Sequence, residues 1–97
     1  MRRVVYTRAA ERDLAEIAEY TLEYWGAQQC EKYLDLLEQT CEQIIPQNLR
    51  HTRSVPDRPA LRRWRCERHV IYLRVLRENA IEIVRVLHER MLPESHL

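Results

Sequence analysis

Two histidines and a set of arginines are the side chains of this sequence that could do chemistry on RNA. Cleavage of a phosphodiester needs a base for the 2′-hydroxyl proton, an acid for the leaving oxygen and cations for the pentavalent phosphate. His69 or His88 could supply the acid–base group near neutral pH. The candidate cations are Arg62, Arg63, Arg65, Arg74 and Arg85. The alternative is that these arginines pair with the acidic first half of the chain, which is predicted to be helical, or with a partner's carboxylates.

Metal and phosphate-loop chemistry find little support. His88-Glu89 begins like the zinc-binding HExxH motif, which needs a second histidine four residues after the first so that both imidazoles meet one metal. Position 92 is a leucine, so the motif is incomplete. The single glycine, Gly26, cannot build a glycine-rich phosphate loop. We therefore expect neither a metal nor a cofactor.

Charge divides the chain into two halves. The net charge is only +1, yet residues 11–42 carry nine acidic against two basic side chains. Residues 43–97 carry eleven arginines against six acidic side chains. The acidic first half and the basic second half are predicted to form separate surfaces. Arginine suits paired hydrogen bonds with carboxylate or phosphate groups of a partner.

Two helices are predicted in the acidic half. After Thr7, a suitable N-cap, apolar residues recur every three or four positions and predict a buried stripe that ends at Trp25. The acidic residues, Asp13 among them, are expected to face away from this stripe. A second stripe runs from Cys30 to Ile45, and Pro46 cannot continue the helix. Gly26 stands where a left-handed residue ends the first helix, so the two helices form an antiparallel hairpin.

Strands are predicted in the remainder. Residues 3–6 form a first short strand, and 46–60 lack any period and are predicted to be a loop. Residues 61–66, 69–76 and 80–87 are β-rich runs separated by short turns, which predicts an antiparallel meander. The order β-α-α-β-β-β over a single domain, 1–97, predicts an α+β fold with the helical hairpin packed on one face of an antiparallel sheet.

The other face of this sheet has no helix to cover it. Arg63, Arg65, Arg74 and Arg85 are expected on that open face or at its edges, where they would meet a partner. Trp64 is either buried against the helices or an anchor for that partner.

Composition bears on location. Three cysteines, an odd number, fit a reducing compartment, and no apolar run is long enough to span a membrane. The N-terminus lacks the apolar segment of a signal peptide. We expect a cytoplasmic protein with no membrane partner.

Three stretches carry a resemblance to a known family. They are YTRAAERDLAEIAEYTLEYWG at 6–26, RHVIYLRV at 68–75 and IEIVRVLHERM at 81–91 followed by HL at 96–97. In this order and spacing they resemble the ParE branch of the RelE/ParE superfamily of bacterial toxins. The resemblance implies the toxin of a type II toxin–antitoxin system, bound in a hetero-oligomer by a ParD-like antitoxin. It further implies inhibition of DNA gyrase by protein binding, with no enzymatic activity and no direct DNA binding by the toxin alone.

Two alternatives stay open. The RelE branch cleaves mRNA on the ribosome with basic residues of the open sheet face, and the matching residues here would be Arg65, Arg74, Arg85 and His88. The ParE pattern has Asp after the methionine where this chain has Leu92, so an inactive antitoxin-binding relative is the second alternative. For the ParE-like function, the predicted contact residues are Arg63, Trp64, Arg65, Arg74, Arg85, His88, Arg90 and Met91.

Overall fold

Two helices and five strands make up the fold. The computed structural model describes residues 3–44, 46–77, 80–91 and 93–97. Single 3-10 helices lie at Pro46–His51 and Pro93–Ser95. The main elements are β1 (Arg3–Tyr6), α1 (Arg8–Trp25), α2 (Ala27–Gln43), β2 (Arg53–Val55), β3 (Arg58–Cys66), β4 (His69–Arg77) and β5 (Ala80–His88).

The helical hairpin begins and turns at the residues the sequence indicates. The Thr7 side-chain oxygen accepts a hydrogen bond from the Ala10 amide at 3.0 Å, which caps α1. Gly26 alone joins the helices, with φ 88° and ψ 170°. The positive φ was predicted, but the ψ is extended rather than left-handed helical, because α2 starts at the next residue and the chain must reverse at once. Neither described helix is long and apolar enough to cross a membrane.

The sheet is mixed rather than wholly antiparallel. Its strand order is β1-β5-β4-β3-β2, and β3, β4 and β5 form the predicted meander. β1 pairs with β5 in parallel, with Val4 opposite Ile81 and Tyr6 opposite Ile83. The hairpin α1–α2 carries the chain from one edge of the sheet to the other, so the α+β class is confirmed with one parallel pair added.

The predicted loop at 46–60 is largely ordered. It contains the 3-10 helix Pro46–His51, strand β2 and the first residues of β3. Arg62 organises this segment, because its guanidinium donates to the Thr52 hydroxyl at 2.7 Å and to the Thr52 carbonyl at 2.9 Å. Alternation could not reveal β2, since it has only three residues and buries only Val55.

The core lies between the sheet and the helices. Its large, fully buried side chains come mainly from α2, β4 and β5, among them Leu37, Ile71, Leu73, Ile81 and Ile83. A smaller apolar cluster on the opposite face comprises Val55, Tyr72 and Leu87, with Leu61, Val70 and Leu97 packed against it. The side chains of β4 alternate between the two layers, as a period of two requires.

Trp25 corrects the prediction that the first stripe is buried to its end. The buried residues of α1 lie between Ala10 and Thr21, whereas Trp25 is 68% exposed. The C-terminal end of α1 also exposes Tyr20, Leu22 and Tyr24. The helix therefore continues past the part that packs on the sheet, and a stripe read from spacing alone gives no sign of where that packing stops.

Candidate functional site

The candidate residues are divided between the two faces of the sheet. Trp64 and Cys66 pack into the core under the helices, which places Arg63 and Arg65 on the open face. Leu73 is likewise in the core, so Arg74 is on the open face. His88 pairs in register with His69, whose ring contacts Tyr33 of α2. The candidate acid–base group and these candidate cations therefore lie on opposite sides of the sheet.

Arg85 is held inside the protein by a buried carboxylate. At the bulge in β5 it lies opposite Tyr72, and its guanidinium reaches past the end of β1 to α1. Nε and Nη2 donate to the two oxygens of Asp13 at 2.7 and 2.8 Å. These hydrogen bonds raise the pKa of Arg85. The paired geometry is the strongest that arginine makes with a carboxylate.

Asp13 also completes the edge of β5. Because β1 ends at Tyr6, the Val86 amide has no strand partner, and it donates to Asp13 Oδ2 at 2.9 Å. Asp13 is 8% exposed, so the prediction that it faces away from the buried stripe is wrong. Its position, three residues after Ala10 and four before Ile17, placed it on that stripe, which was the available signal.

His69 and His88 form a cluster beneath α2. Tyr33 Oη lies 2.6 Å from His69 Nδ1, and the rings of His69 and His88 meet edge to face with centroids 5.3 Å apart. Burial, followed by the nearby His88, lowers the pKa of His69 to about 4. His88 Nδ1 accepts from the Arg90 amide at 3.1 Å. Both rings are thus used in packing and internal hydrogen bonds.

The open-face arginines have carboxylate neighbours of their own. Arg74 Nε donates to Glu82 Oε1 at 2.6 Å across the β4–β5 pair. Arg65 pairs with Glu89 and also donates to the Glu67 carbonyl at 3.1 Å. Arg63 lies opposite Tyr72 in the β3–β4 register. These two acids lie on β5 or directly after it, so Arg65 and Arg74 do not pair with the acidic helices, and both remain at the surface. The predicted pairing with an acidic helix is found at Arg85, through Asp13 of α1.

The residues after β5 present a different surface. Arg90 and Met91 are exposed, and the Arg90 side chain makes no ion pair with any described residue. Trp64 is half-buried against the core, which excludes it as an anchor on the open face. Leu92 lies outside the described residues. Arg90 and Met91 are therefore the predicted contact residues that are available to a partner without rearrangement.

The open face is not wholly uncovered, contrary to the prediction from element order. Leu97 packs against the Val55, Tyr72 and Leu87 cluster. Arg58 Nη2 donates to the Leu97 carbonyl at 2.6 Å, and Arg85 Nη1 donates to the His96 carbonyl at 2.8 Å. No pattern in the sequence singles out Arg58. Among the described residues, no three His, Cys, Asp or Glu side chains are grouped as metal ligands.

Comparison with known proteins gives a consistent result. Residues 4–93 match the family described as ParE toxin of type II toxin–antitoxin system, parDE. Toxin ParE1 of Mycobacterium tuberculosis is 36% identical over 90 residues, which cover 92% of this chain and 91% of that protein. Toxin ParE of Escherichia coli is 34% identical over 87 residues, covering 90% and 84% of the two chains.

A solved structure shares the fold. The structure described as the chromosomal ParDE TA system from P. aeruginosa superposes with a TM-score of 0.73 and 21% identity. The superposition covers 91% of this chain and 96% of that one. At this identity the likeness supports the arrangement of helices and strands.

Proposed function

Because this chain belongs to the ParE family of toxins of type II toxin–antitoxin systems, we propose that it acts by binding DNA gyrase and blocking replication. A ParD-like antitoxin neutralises it in a hetero-oligomer. The toxin works in the cytoplasm as a binding protein, with no catalytic step of its own. No contact with DNA by the toxin alone is required.

The division of the candidate residues is the observation that favours binding over RNA cleavage. Acid–base catalysis on a phosphodiester requires the proton-transfer group and the cations to reach the same phosphate. Here His88 lies on the helix side, Arg65 and Arg74 lie on the open side, and Arg85 is paired with Asp13. The intact fold offers no described place where these four groups converge.

Arg90 and Met91 are the residues we assign to the gyrase contact. They follow the last strand, they are exposed, and they combine an unpaired guanidinium with a flexible apolar side chain. Such a pair suits a protein interface, in which arginine and methionine are enriched. Arg63, Arg65 and Arg74 extend this surface across the open face. Acidic groups of the antitoxin could replace the present carboxylate neighbours of Arg65 and Arg74.

The test is inhibition of purified DNA gyrase. Near-stoichiometric wild-type protein is expected to suppress supercoiling and to increase the cleavage complex. Arg90→Ala combined with Met91→Ala is expected to weaken this inhibition about tenfold or more, as loss of an interface hot spot does. Arg77→Ala is the control. Arg77 is an exposed arginine at the end of β4 that pairs with the start of β5, far along the strand from Arg90, so its loss should leave inhibition unchanged.

Three results would contradict the proposal. Wild-type protein without effect on either gyrase assay rejects the target. Cleavage inside codons of translated messages, detected by primer extension and lost in His88→Ala, identifies a RelE-like nuclease instead. Normal growth after induction without antitoxin identifies an inactive relative that retains antitoxin binding.

A further inference from the structure

The last five residues fold back as a compact turn over the open face of the sheet. Pro93–Ser95 form a single 3-10 turn. The amides of His96 and Leu97 both donate to the Pro93 carbonyl, at 3.0 and 2.8 Å. This turn directs the Leu97 side chain toward the strands while Ser95 and His96 stay exposed. We refer to residues 93–97 as the strap.

Three elements hold the strap in place. Leu97 is half-buried against the apolar cluster of Val55, Tyr72 and Leu87. Arg58, at the start of β3, donates to the Leu97 carbonyl, and Arg85 of β5 donates to the His96 carbonyl. The guanidinium groups therefore recognise main-chain oxygens, of which that of His96 is an ordinary peptide carbonyl, and the apolar cluster recognises one leucine-sized side chain.

The strap forms one wall of a groove on the open face. A groove of about 620 Å³ continues beside His96 and Leu97, and its other walls include Arg58, Leu61 and Arg74. Asp57 and Val84 also line it. The groove thus has an apolar floor and arginine donors at its rim, and it has room for more chain than the strap provides.

The docked strap is held by few interactions. Two hydrogen bonds and one half-buried leucine connect it to the strands, and the side chains of Glu94, Ser95 and His96 are exposed. Ordering five residues costs conformational entropy that is comparable with what these contacts return. Docked and released states therefore lie close in free energy, and a competing segment can replace the strap at small cost.

We propose that the strap is a displaceable occupant of a peptide-binding groove, and that a segment of the antitoxin takes its place. The segment presents a leucine-sized side chain to the Val55, Tyr72 and Leu87 cluster and main-chain carbonyls to Arg58 and Arg85. The identification of the competing segment as part of the antitoxin rests on the proposed function. The description of the strap and the groove does not depend on that function.

Two variants, each with a control, are expected to change antitoxin affinity in opposite directions. Leu97→Gly releases the strap and is expected to tighten antitoxin binding about threefold to tenfold, since the groove no longer has to be vacated. Arg58→Gln removes a donor from the groove and is expected to weaken binding by a similar factor. Ser95→Ala and Arg53→Gln are the controls, since both residues are exposed, and both should bind like the wild type. Calorimetry on the full-length chain measures all four affinities.

Hydrogen exchange tests the displacement directly. Because the docked state is only slightly favoured, the amides of His96 and Leu97 are expected to exchange several-fold more slowly in the free chain than in the antitoxin complex. Antitoxin that binds while this protection persists, or a Leu97→Gly variant that binds with equal or lower affinity, overturns the displacement and leaves the proposed function standing. Exchange of both amides in the free chain at the full rate of an unstructured peptide overturns the strap itself. Absence of antitoxin binding to every variant, including the wild type, rejects the proposed partner and this use of the groove together.

Discussion

The two faces of the sheet are built from the same strands but held by different forces. The covered face buries Ile71, Leu73 and Ile83 completely against the helices. The open face carries Arg65 and Arg74, each with a carboxylate neighbour, around a small apolar cluster that the strap caps. Burial of apolar area stabilises the first face, whereas exposed ion pairs contribute little to the second. The fold therefore rests on one face and leaves the other free to meet partners.

The largest expected difference between the faces comes from two leucines of β4. Leu73 is 0% exposed in the core and Leu76 is 45% exposed. Leu73→Ala should lower the free energy of unfolding by about 2–5 kcal/mol, because it removes buried methyl groups and leaves a cavity. Leu76→Ala should lower it by less than about 1 kcal/mol. Urea unfolding of both variants measures the difference, and equal losses would contradict the assignment of faces.

A second contrast separates the buried ion pair from an exposed one. Asp13→Asn leaves the Arg85 guanidinium without its carboxylate in a partly buried site, and we expect a loss of about 2–4 kcal/mol of stability. Glu82→Gln removes the partner of Arg74 at the surface and should cost about 0–1 kcal/mol. Thermal unfolding of the two variants, each a change from acid to amide, compares them. A cost for Glu82→Gln as large as that for Asp13→Asn would mean that the open face is also structural.

This contrast shows where sequence patterns stop being informative. The helical hairpin and the three long strands follow from spacing, because burial on one side imposes a period on eighteen-residue α1 and nine-residue β4 and β5. β2 was missed, since three residues carry no period. The burial of Asp13 was missed because an acidic side chain is ordinarily solvated. Its partners, the Val86 amide and the Arg85 guanidinium, are brought to it only by the assembled fold.

The candidate site was predicted less well than the fold for a physical reason. Alternation assigns Arg63, Arg65 and Arg74 to one face, but it cannot say which guanidinium already has an internal acceptor. The bulge in β5, which shifts the pairing so that Tyr72 lies opposite Arg85, is invisible in the sequence. Arg58 entered the site through a contact with a residue 39 positions away. Such contacts depend on the assembled fold.

The pH dependence of stability probes the covered face through His69. Its pKa is lowered to about 4 in the folded protein by burial and by His88, whereas an unfolded histidine titrates near pH 6.5. The folded state thus binds fewer protons, so its stability is complete above about pH 6.5 and falls as the pH drops toward 4. Between pH 7 and 4.5 the wild type should therefore lose about 2 kcal/mol more of its free energy of unfolding than His69→Gln does.

Urea unfolding at both pH values separates this contribution from the carboxylates, which titrate alike in wild type and variant. Leu76→Ala provides the control, since it removes no titratable group and should keep the wild-type pH slope. A slope unchanged in His69→Gln would show that the ring is solvated, and that the cluster with Tyr33 and His88 is open in solution.

The smallest expected effect concerns the two tryptophans, which test where the covered layer ends. Trp25 is 68% exposed on the last turn of α1, and Trp64 is half-buried against the core. Trp25→Ala should change the free energy of unfolding by less than about 0.5 kcal/mol, as surface substitutions do. In the same variant the remaining fluorescence, from Trp64, should resist quenching by acrylamide. In Trp64→Phe the remaining Trp25 should be quenched strongly. If Trp25→Ala instead costs several kcal/mol, α1 packs along its whole length, and the covered layer extends to the turn at Gly26.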